Sequence, residues 1–212
     1  MTMTSFKIRL AVVLLATTSS VAQTMVGLEG GINWSSLETK PIAGSVYGTG
    51  SGRTYGILAE SKMRYDFYLV VGVSYIKKTV PWLVHQYLKS TVPDIEYQFE
   101  YTQISASLKK EYPIQKFRFY FILGGTYGYL NSGSFINGRL GGPAHTSDIT
   151  NNLNRSDFDL NGGLGLAYNP SKKLSIFADI KYLYDLLGIS KNSASYAYFR
   201  STQLSCGILF GV

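Results

Sequence analysis

The chain of 212 residues has a single cysteine, Cys206, and only two histidines, His85 and His145. An internal disulfide is therefore excluded, as is a metal cluster built from several thiolates. Neither histidine has a metal-ligand partner at a recognisable spacing, so we predict no metal and no cofactor. Charged residues are scarce, at 16% of the chain. The basic residues form no run that would indicate nucleic-acid binding.

Long apolar runs are also missing. The mean hydropathy is +0.04, and no later segment is apolar over the roughly 20 residues that a spanning helix needs. The short apolar run from Leu10 to Ala16 follows Lys7 and Arg9 and precedes a small polar stretch. This order predicts a secretory signal peptide over residues 1–22. Its removal lowers the formal charge from +7 to about +5.

Aromatic residues and glycine are abundant, with 17 Tyr, 11 Phe and 22 Gly. This composition favours strands and tight turns. Large apolar residues alternate with small or polar ones in about eight segments of residues 23–212. In the first segment, Val26, Leu28, Ile32 and Trp34 share one parity, and Gly27, Glu29, Gly31 and Asn33 share the other. The alternation predicts strands whose two faces meet different surroundings.

The connections between these segments alternate in length. Short turns are predicted at Tyr65-Asp66, Glu111 to Lys116 and Asn169 to Lys173. Longer loops are predicted at Ser36 to Arg53, Thr79 to Asp94, Asn131 to Ser156 and Leu187 to Ala197. Short periplasmic turns and long extracellular loops are typical of outer-membrane barrels with both termini in the periplasm.

We therefore predict an all-β fold for residues 23–212: an eight-stranded antiparallel up-and-down transmembrane β-barrel in the bacterial outer membrane. The apolar positions are expected to face lipid. The alternative is a soluble barrel or sandwich, which also has short alternating strands but keeps its apolar positions inside.

One segment departs from the simple alternation. Ile104, Ala106 and Leu108 share the outward positions, whereas the apolar residues from Ile95 to Tyr101 occupy the opposite ones. This change predicts either a β-bulge near Tyr101 or an extension of the hairpin above the membrane.

The predicted inward positions collect charged residues of both signs. The interior of an eight-stranded barrel is just wide enough for side chains to fill, and an unpaired charge there is costly. We therefore predict a salt-bridge network that closes the lumen, with a basic periplasmic mouth. Alternatively, the lower basic side chains only reach the lipid headgroups. The predicted network comprises Glu29, Glu60, Lys62, Arg64, Lys78, Lys109, Arg118, Asp157, Asp159, Asp179 and Lys181.

Several segments carry a family resemblance. They are GLEGGINWSSL (27–37), VVGVSYIKK (70–78), YTQISASLKKEY (101–112), FILGGTYGYL (121–130), DFDLNGGLGLAY (157–168) and LSIFADIKYLYDLLGI (174–189). Over nearly the whole mature chain the sequence resembles PorT-like, "porin family" outer-membrane β-barrel proteins of Bacteroidetes-type bacteria. It departs from them at Gln103 and Ser105, where the family usually has a carboxylate and a proline.

The resemblance implies a small barrel like OmpX or OmpW, and the family name "porin" does not establish a pore. PorT itself is associated with protein secretion across the outer membrane. The implied partners are outer-membrane lipid and other envelope or secretion proteins, and no small-molecule ligand is identified.

Three classes of function are compatible with these observations. The first is a structural or interaction barrel, and the second is a narrow channel for small solutes or ions. The third is a lipid-modifying hydrolase, which needs a nucleophile beside a base. His145, Thr146 and Ser147 are adjacent in sequence, but adjacency does not give the hydrogen-bond geometry that catalysis needs. We therefore predict no enzyme and no catalytic residue. The candidate loop contacts are Trp82, Phe135 and Arg139.

Overall fold

Most of the described backbone is β-strand. The structure, a computed structural model, describes residues 24–40, 46–83, 95–137, 145–190 and 196–212, so the predicted signal peptide lies outside the described residues. Within the described ranges, no helix combines the length and apolarity required to cross a membrane. The elements in chain order are β1 (Thr24–Lys40), β2 (Val46–Tyr47), β3 (Gly50–Lys62), β4 (Phe67–Leu83), β5 (Ile95–Ile114), β6 (Phe117–Asn137), β7 (His145–Asp148), a 3-10 helix (Thr150–Asn152), β8 (Ser156–Ser171), β9 (Leu174–Asp185) and β10 (Tyr196–Gly211).

The long strands close into a ring. Their order is β4-β3-β1-β10-β9-β8-β6-β5, and β5 pairs back onto β4. The first and last strands pair along their length, from Met25 opposite Gly211 to Lys40 opposite Tyr196. All of these pairings are antiparallel. The predicted fold class, a closed eight-stranded antiparallel β-barrel, is confirmed.

The two faces of the wall differ in character, as the alternation predicted. Leu28 and Leu123 point outward and are 64% and 70% exposed, whereas Asn33 and Asp159 point inward and are 0% and 1% exposed. An outer face made largely of Leu, Ile, Val and aromatic side chains needs an apolar environment around it. A soluble barrel would have apolar residues at its inward positions throughout. This wall has polar residues such as Asn33 and Asp159 at inward positions.

Tight turns join the strands at one end of the barrel, which we call the turn end. Tyr65 and Asp66 both have positive φ, 57° and 56°, as the two-residue hairpin turn that suits strand twist requires. The predicted turn from Glu111 to Lys116 is too long. In the structure β5 continues to Ile114, because Glu111 pairs with Tyr120 of β6 and only Gln115-Lys116 turns.

At the opposite end, which we call the loop end, the strands run further than predicted. The predicted loops begin at Thr79 and Asn131, but β4 continues to Leu83 and β6 to Asn137. Trp82 of β4 and Asn137 of β6 each pair with Ile95, the first residue of β5. Inward apolar side chains fill the lumen at this height and support the longer ladders.

The irregularity predicted near Tyr101 is confirmed. The β5–β6 register shifts between Glu100 and Tyr101, which pair with Ser132 and Leu130. The extra residue is therefore Asn131 in β6, and β5 itself continues without interruption. Phe99 and Tyr101 point inward and are buried. Thus the apolar residues upstream of Tyr101 line the lumen.

Candidate functional site

The inward side chains bring most of the predicted polar network together in three groups at different heights. We name each group after its lysine: the Lys78 cluster near the loop end, the Lys181 cluster in the middle and the Lys109 cluster near the turn end. Each lysine is supplied by a different strand, β4, β9 or β5, because each strand directs every second side chain inward.

In the Lys78 cluster, one buried ammonium faces two buried carboxylates. Nζ of Lys78 lies 3.1 Å from Oδ2 of Asp157 and 3.6 Å from Oδ2 of Asp159. The ammonium also lies over two aromatic rings, 4.5 Å from the centroid of Phe199 and 5.1 Å from that of Tyr101. These ring faces add a favourable cation–π contact.

Asp185 joins the Lys78 cluster, although it was not among the predicted residues. It is the last residue of β9 and lies opposite Asp159 in the β8–β9 ladder. Its carboxylate accepts backbone N–H bonds from Leu187, Gly188 and Phe199 at 2.9–3.1 Å. Asp185 continues the inward alternation of Asp179, which is the signal that would have identified it.

In the Lys181 cluster, a lysine lies between carboxylates of two strands. Nζ of Lys181 is 3.6 Å from Oε2 of Glu29 and 3.5 Å from Oδ1 of Asp179. The Tyr120 hydroxyl donates a 3.0 Å hydrogen bond to Oδ2 of Asp179. This cluster therefore links β1, β6 and β9 through the lumen.

In the Lys109 cluster, the cation pairs with Glu60 and lies 2.9 Å from Oε1 of Glu111. Arg118 contacts Oε2 of the same Glu111 at 2.8 Å and the hydroxyl of Tyr68 at 3.2 Å. Glu111 was missed because it fell in the predicted turn. It lies two residues after Lys109 and so shares its inward parity, which is the signal that would have found it.

Two predicted members of the network lie outside these clusters. Lys62, the last residue of β3, has 43% of its side chain exposed and pairs with Asp66 at 3.4 Å. Arg64 is exposed in the β3–β4 turn and does not point into the lumen, contrary to the prediction. The reason is that β3 ends at Lys62, so the alternation cannot be continued to Arg64.

An apolar plug occupies the lumen at the loop end, and it was not predicted from the sequence. Its aromatic rings interlock: the Phe99 and Phe199 centroids lie 5.2 Å apart at 76°. Such edge-to-face contacts stabilise packed aromatic pairs. The plug consists of Ile76, Val80, Phe99, Tyr101, Leu130, Ile189 and Phe199.

Between the clusters the lumen is nearly full. A cavity of about 40 Å³ adjoins the polar residues Glu29, Gln103 and Asn161. A second cavity, of about 20 Å³, adjoins Glu60 and Tyr120. The larger cavity has room for about three water molecules. These small volumes accommodate a few internal water molecules.

The candidate contact residues at the loop end have different surroundings. Trp82 is 37% exposed near the end of β4. Phe135 lies in β6, with its ring centroid 5.2 Å from that of Tyr97. Arg139 lies outside the described residues.

His145 and Ser147, the residues that a hydrolase would need as base and nucleophile, are adjacent in space but poorly arranged. Oγ of Ser147 lies 3.4 Å from Nδ1 of His145 on exposed β7. An activated nucleophile and its base are usually closer, at roughly 2.6–3.2 Å, and are oriented by a third group. Asp148, the neighbouring acid, instead accepts hydrogen bonds from Thr150.

No protein-family model matches the chain, and no curated protein matches it in sequence. Solved structures do match its fold. OprG, an outer-membrane protein from Pseudomonas aeruginosa, is 12% identical, with 92% of this chain and 98% of that one covered and a TM-score of 0.54. Neisserial surface protein A is 16% identical, with coverages of 91% and 100% and a TM-score of 0.51. A major outer-membrane protein from Thermus thermophilus is 12% identical, with coverages of 91% and 100% and a TM-score of 0.51.

Proposed function

Starting from a barrel fold shared with solved outer-membrane proteins, we propose that this chain is a closed-lumen barrel of the bacterial outer membrane that acts as a structural or interaction protein. The observation that carries the proposal is the filled interior. Ion clusters occupy the lumen at three heights and the apolar plug seals its loop end. Because the lumen offers so little free volume, the loop end is the part of the molecule available to other molecules.

Planar-bilayer conductance tests the closed lumen. We expect the folded monomer to give no steady ionic current, because side chains fill the interior of a barrel of this size and leave no water-filled passage. An open porin in the same bilayers serves as the positive control. A large, steady current from pure monomer would contradict the proposal.

A narrow channel for small solutes or ions is the second candidate. The polar cavity near Glu29, Gln103 and Asn161 favours it, because these groups can hold water in the middle of the lumen. The plug, however, lies between that cavity and the loop end. We therefore rank the channel below the closed barrel, and the conductance measurement distinguishes the two.

The orientation follows from the lengths of the connections. Thr24 and Val212 meet at the turn end, where the Val212 N–H donates to the Thr24 carbonyl at 3.1 Å. Short turns face the periplasm in outer-membrane barrels, so we place both termini there. An epitope tag after Val212 is expected to be labelled only in permeabilised cells. Labelling of intact cells would contradict this orientation.

The loop end is the proposed contact surface for another envelope component. A secretion role, as the PorT-like resemblance implies, is the specific form of this proposal. Affinity capture of the intact protein from its native outer membrane tests it, with secretion-machinery subunits expected among the reproducible partners.

Trp82→Ala and Trp34→Ala provide a matched pair for the capture experiment. Both tryptophans are 37% exposed, but Trp82 is at the loop end and Trp34 is on the outer wall. We expect the first variant to lose captured partners and the second to retain them. No reproducible partner, or equal loss from both variants, would contradict a contact through the loop end.

A further inference from the structure

Three buried carboxylates converge near the loop end of the lumen. Asp157 and Asp159 share the inward parity of β8, and Asp185 pairs with Asp159 from β9. All three side chains are almost completely buried, and one oxygen of each lies within 4.8 Å of the others. This convergence joins two neighbouring strands directly beneath the plug.

The charges of the cluster do not balance. When ionised, the three carboxylates carry three negative charges, and Lys78 is the one described cation that forms ion pairs with them. The excess is buried, where like charges repel strongly and solvent does not screen them. A further source of positive charge is therefore required to stabilise the three ionised groups.

The carboxylates of Asp157 and Asp159 also lack partners on the side away from Lys78. Within the described part of the chain, Oδ1 of Asp157 and both side-chain oxygens of Asp159 are buried and accept no hydrogen bond. Lys78 approaches both residues from their Oδ2 atoms, which leaves the two Oδ1 atoms available. Buried polar atoms without partners in a native fold indicate a water molecule or an ion.

Tyr101 supplies a separate observation. Its side chain is 0% exposed, and its hydroxyl makes no hydrogen bond to any described residue. The hydroxyl interacts electrostatically with all three carboxylates, and the ring lies next to Lys78. Because Lys78 also pairs with Asp157, the ring of Tyr101 borders the same acidic group.

We propose that Asp157, Asp159 and Asp185 bind a divalent cation, Ca²⁺, with the Tyr101 hydroxyl turned toward it. Hard oxygen donors are the ligands that Ca²⁺ prefers, at about 2.3–2.6 Å. Ligand oxygens on opposite sides of such an ion are therefore roughly 4.8 Å apart. One oxygen of each carboxylate lies within 4.8 Å of the others, so a single ion can contact all three. Mg²⁺ requires a tighter set, with oxygens at about 2.0–2.1 Å. A divalent charge neutralises the excess that Lys78 leaves.

The site has a structural role in this proposal. Asp185 accepts backbone hydrogen bonds from Gly188, in the β9–β10 connection, and from Phe199, in the plug. An ion at the cluster therefore connects β8 to the segment that closes the loop end. Because the cluster is buried beneath the plug, we expect the ion to be acquired during folding and released slowly afterwards.

Metal analysis of the folded full-length barrel in detergent tests the site. The protein is refolded with CaCl₂ or with EDTA, freed of unbound metal and assayed for bound calcium and for its thermal midpoint. We expect stoichiometric calcium only after refolding in CaCl₂, together with a higher midpoint. Absence of retained calcium with equal midpoints would overturn the proposal and favour a shared proton, and preferential retention of Mg²⁺ or Mn²⁺ would overturn the assignment to Ca²⁺.

Asp159→Asn is the diagnostic variant, and Asp179→Asn is its control. Both aspartates are buried and ion-paired in the lumen, but Asp179 belongs to the Lys181 cluster. We expect Asp159→Asn to lose calcium and Asp179→Asn to retain it. Tyr101→Phe removes a single hydroxyl and provides a milder variant if Asp159→Asn does not fold. We expect bound calcium to dissociate faster from Tyr101→Phe than from the wild-type protein. Retention of calcium by Asp159→Asn would contradict the site.

Discussion

Lys78 and Asp157 meet across the lumen, with Nζ of Lys78 3.1 Å from Oδ2 of Asp157 and both side chains almost fully buried. One residue comes from β4 and the other from β8, which are not neighbours in the wall. The ion pair therefore links distant parts of the ring. Loss of one partner leaves the other charge buried without compensation, which is the costly case for an interior ion pair.

Lys78→Met tests this relationship. Methionine has a similar length and suits the adjacent Tyr101 and Phe199 rings, so the main change is the loss of the positive charge. We expect the free energy of unfolding to fall by about 3–5 kcal/mol, measured by urea titration in detergent. Lys62→Met, which removes the half-exposed pair with Asp66, is the control and is expected to cost less than about 1 kcal/mol. Equal losses would contradict the role of the buried pair.

Gly165→Ala tests the packing of the lumen. A Cβ at Gly165 would lie 2.5 Å from the Tyr120 hydroxyl and 2.7 Å from the Ala178 carbonyl oxygen. We expect it to displace Tyr120 from Asp179 and to lower the free energy of unfolding by about 1–3 kcal/mol.

Gly162→Ala, in the same strand, is the matched control for that substitution. A Cβ there meets only Leu123, at 3.6 Å, so we expect near-wild-type stability. If the two variants unfold at the same urea concentration, the interior at Gly165 is looser than the structure indicates.

Cys206 reports which face of β10 contacts lipid. Its thiol is exposed on the outer wall, opposite Gly30 and Ala178 of the neighbouring strands. In native membranes we expect it to resist a water-soluble maleimide and to react once the protein is unfolded in urea. Thr146→Cys in a Cys206→Ser background, on exposed β7, is expected to react in the folded protein. Rapid labelling of Cys206 in native membranes would contradict its contact with lipid.

Asp148 provides a test by pH at the loop end. The Thr150 hydroxyl and backbone N–H donate to Oδ1 of Asp148 at 2.6 Å and 2.8 Å. These bonds hold the pKa of Asp148 below its ordinary value because they favour the carboxylate. The stability they contribute is present above the unfolded-state pKa and is lost as the pH falls through the lowered folded-state pKa.

Thr150→Val removes the hydroxyl and retains the backbone donor. We expect the pKa of Asp148 to move up toward its ordinary value, measured by NMR titration of the carboxyl carbon. Ser147→Ala alters the neighbouring contact to His145 and should leave that pKa in place. An unchanged pKa in Thr150→Val would show that the hydroxyl does not stabilise the carboxylate.

The wall of the barrel was predictable from sequence because its two faces meet different environments. Leu28 and Asn33 belong to opposite parities of one strand, and the structure places them on opposite faces. The change of apolar positions in β5 coincides with the β5–β6 irregularity near Tyr101, but it reflects Phe99 and Tyr101 lining the lumen. It did not show that the additional residue, Asn131, belongs to β6, because the partner register depends on pairing between strands.

The interior was less predictable, and the plug shows why. Phe99 and Tyr101 are large and apolar, like residues of the outer wall, yet they point inward. The alternation along one strand shows which residues share a face. It does not show at which height the lumen changes from polar to apolar. That change depends on side chains from β4, β6 and β10 meeting at the same height.

The plug also constrains the order of assembly. Its members come from β4, β5, β6, β10 and the connection that follows β9, and Phe199 of the last strand supplies the ring that meets both Phe99 and Lys78. A chain that still lacks its final hairpin has an incomplete wall and an unsealed bore. The strand that completes the wall therefore also supplies the ring that completes the seal.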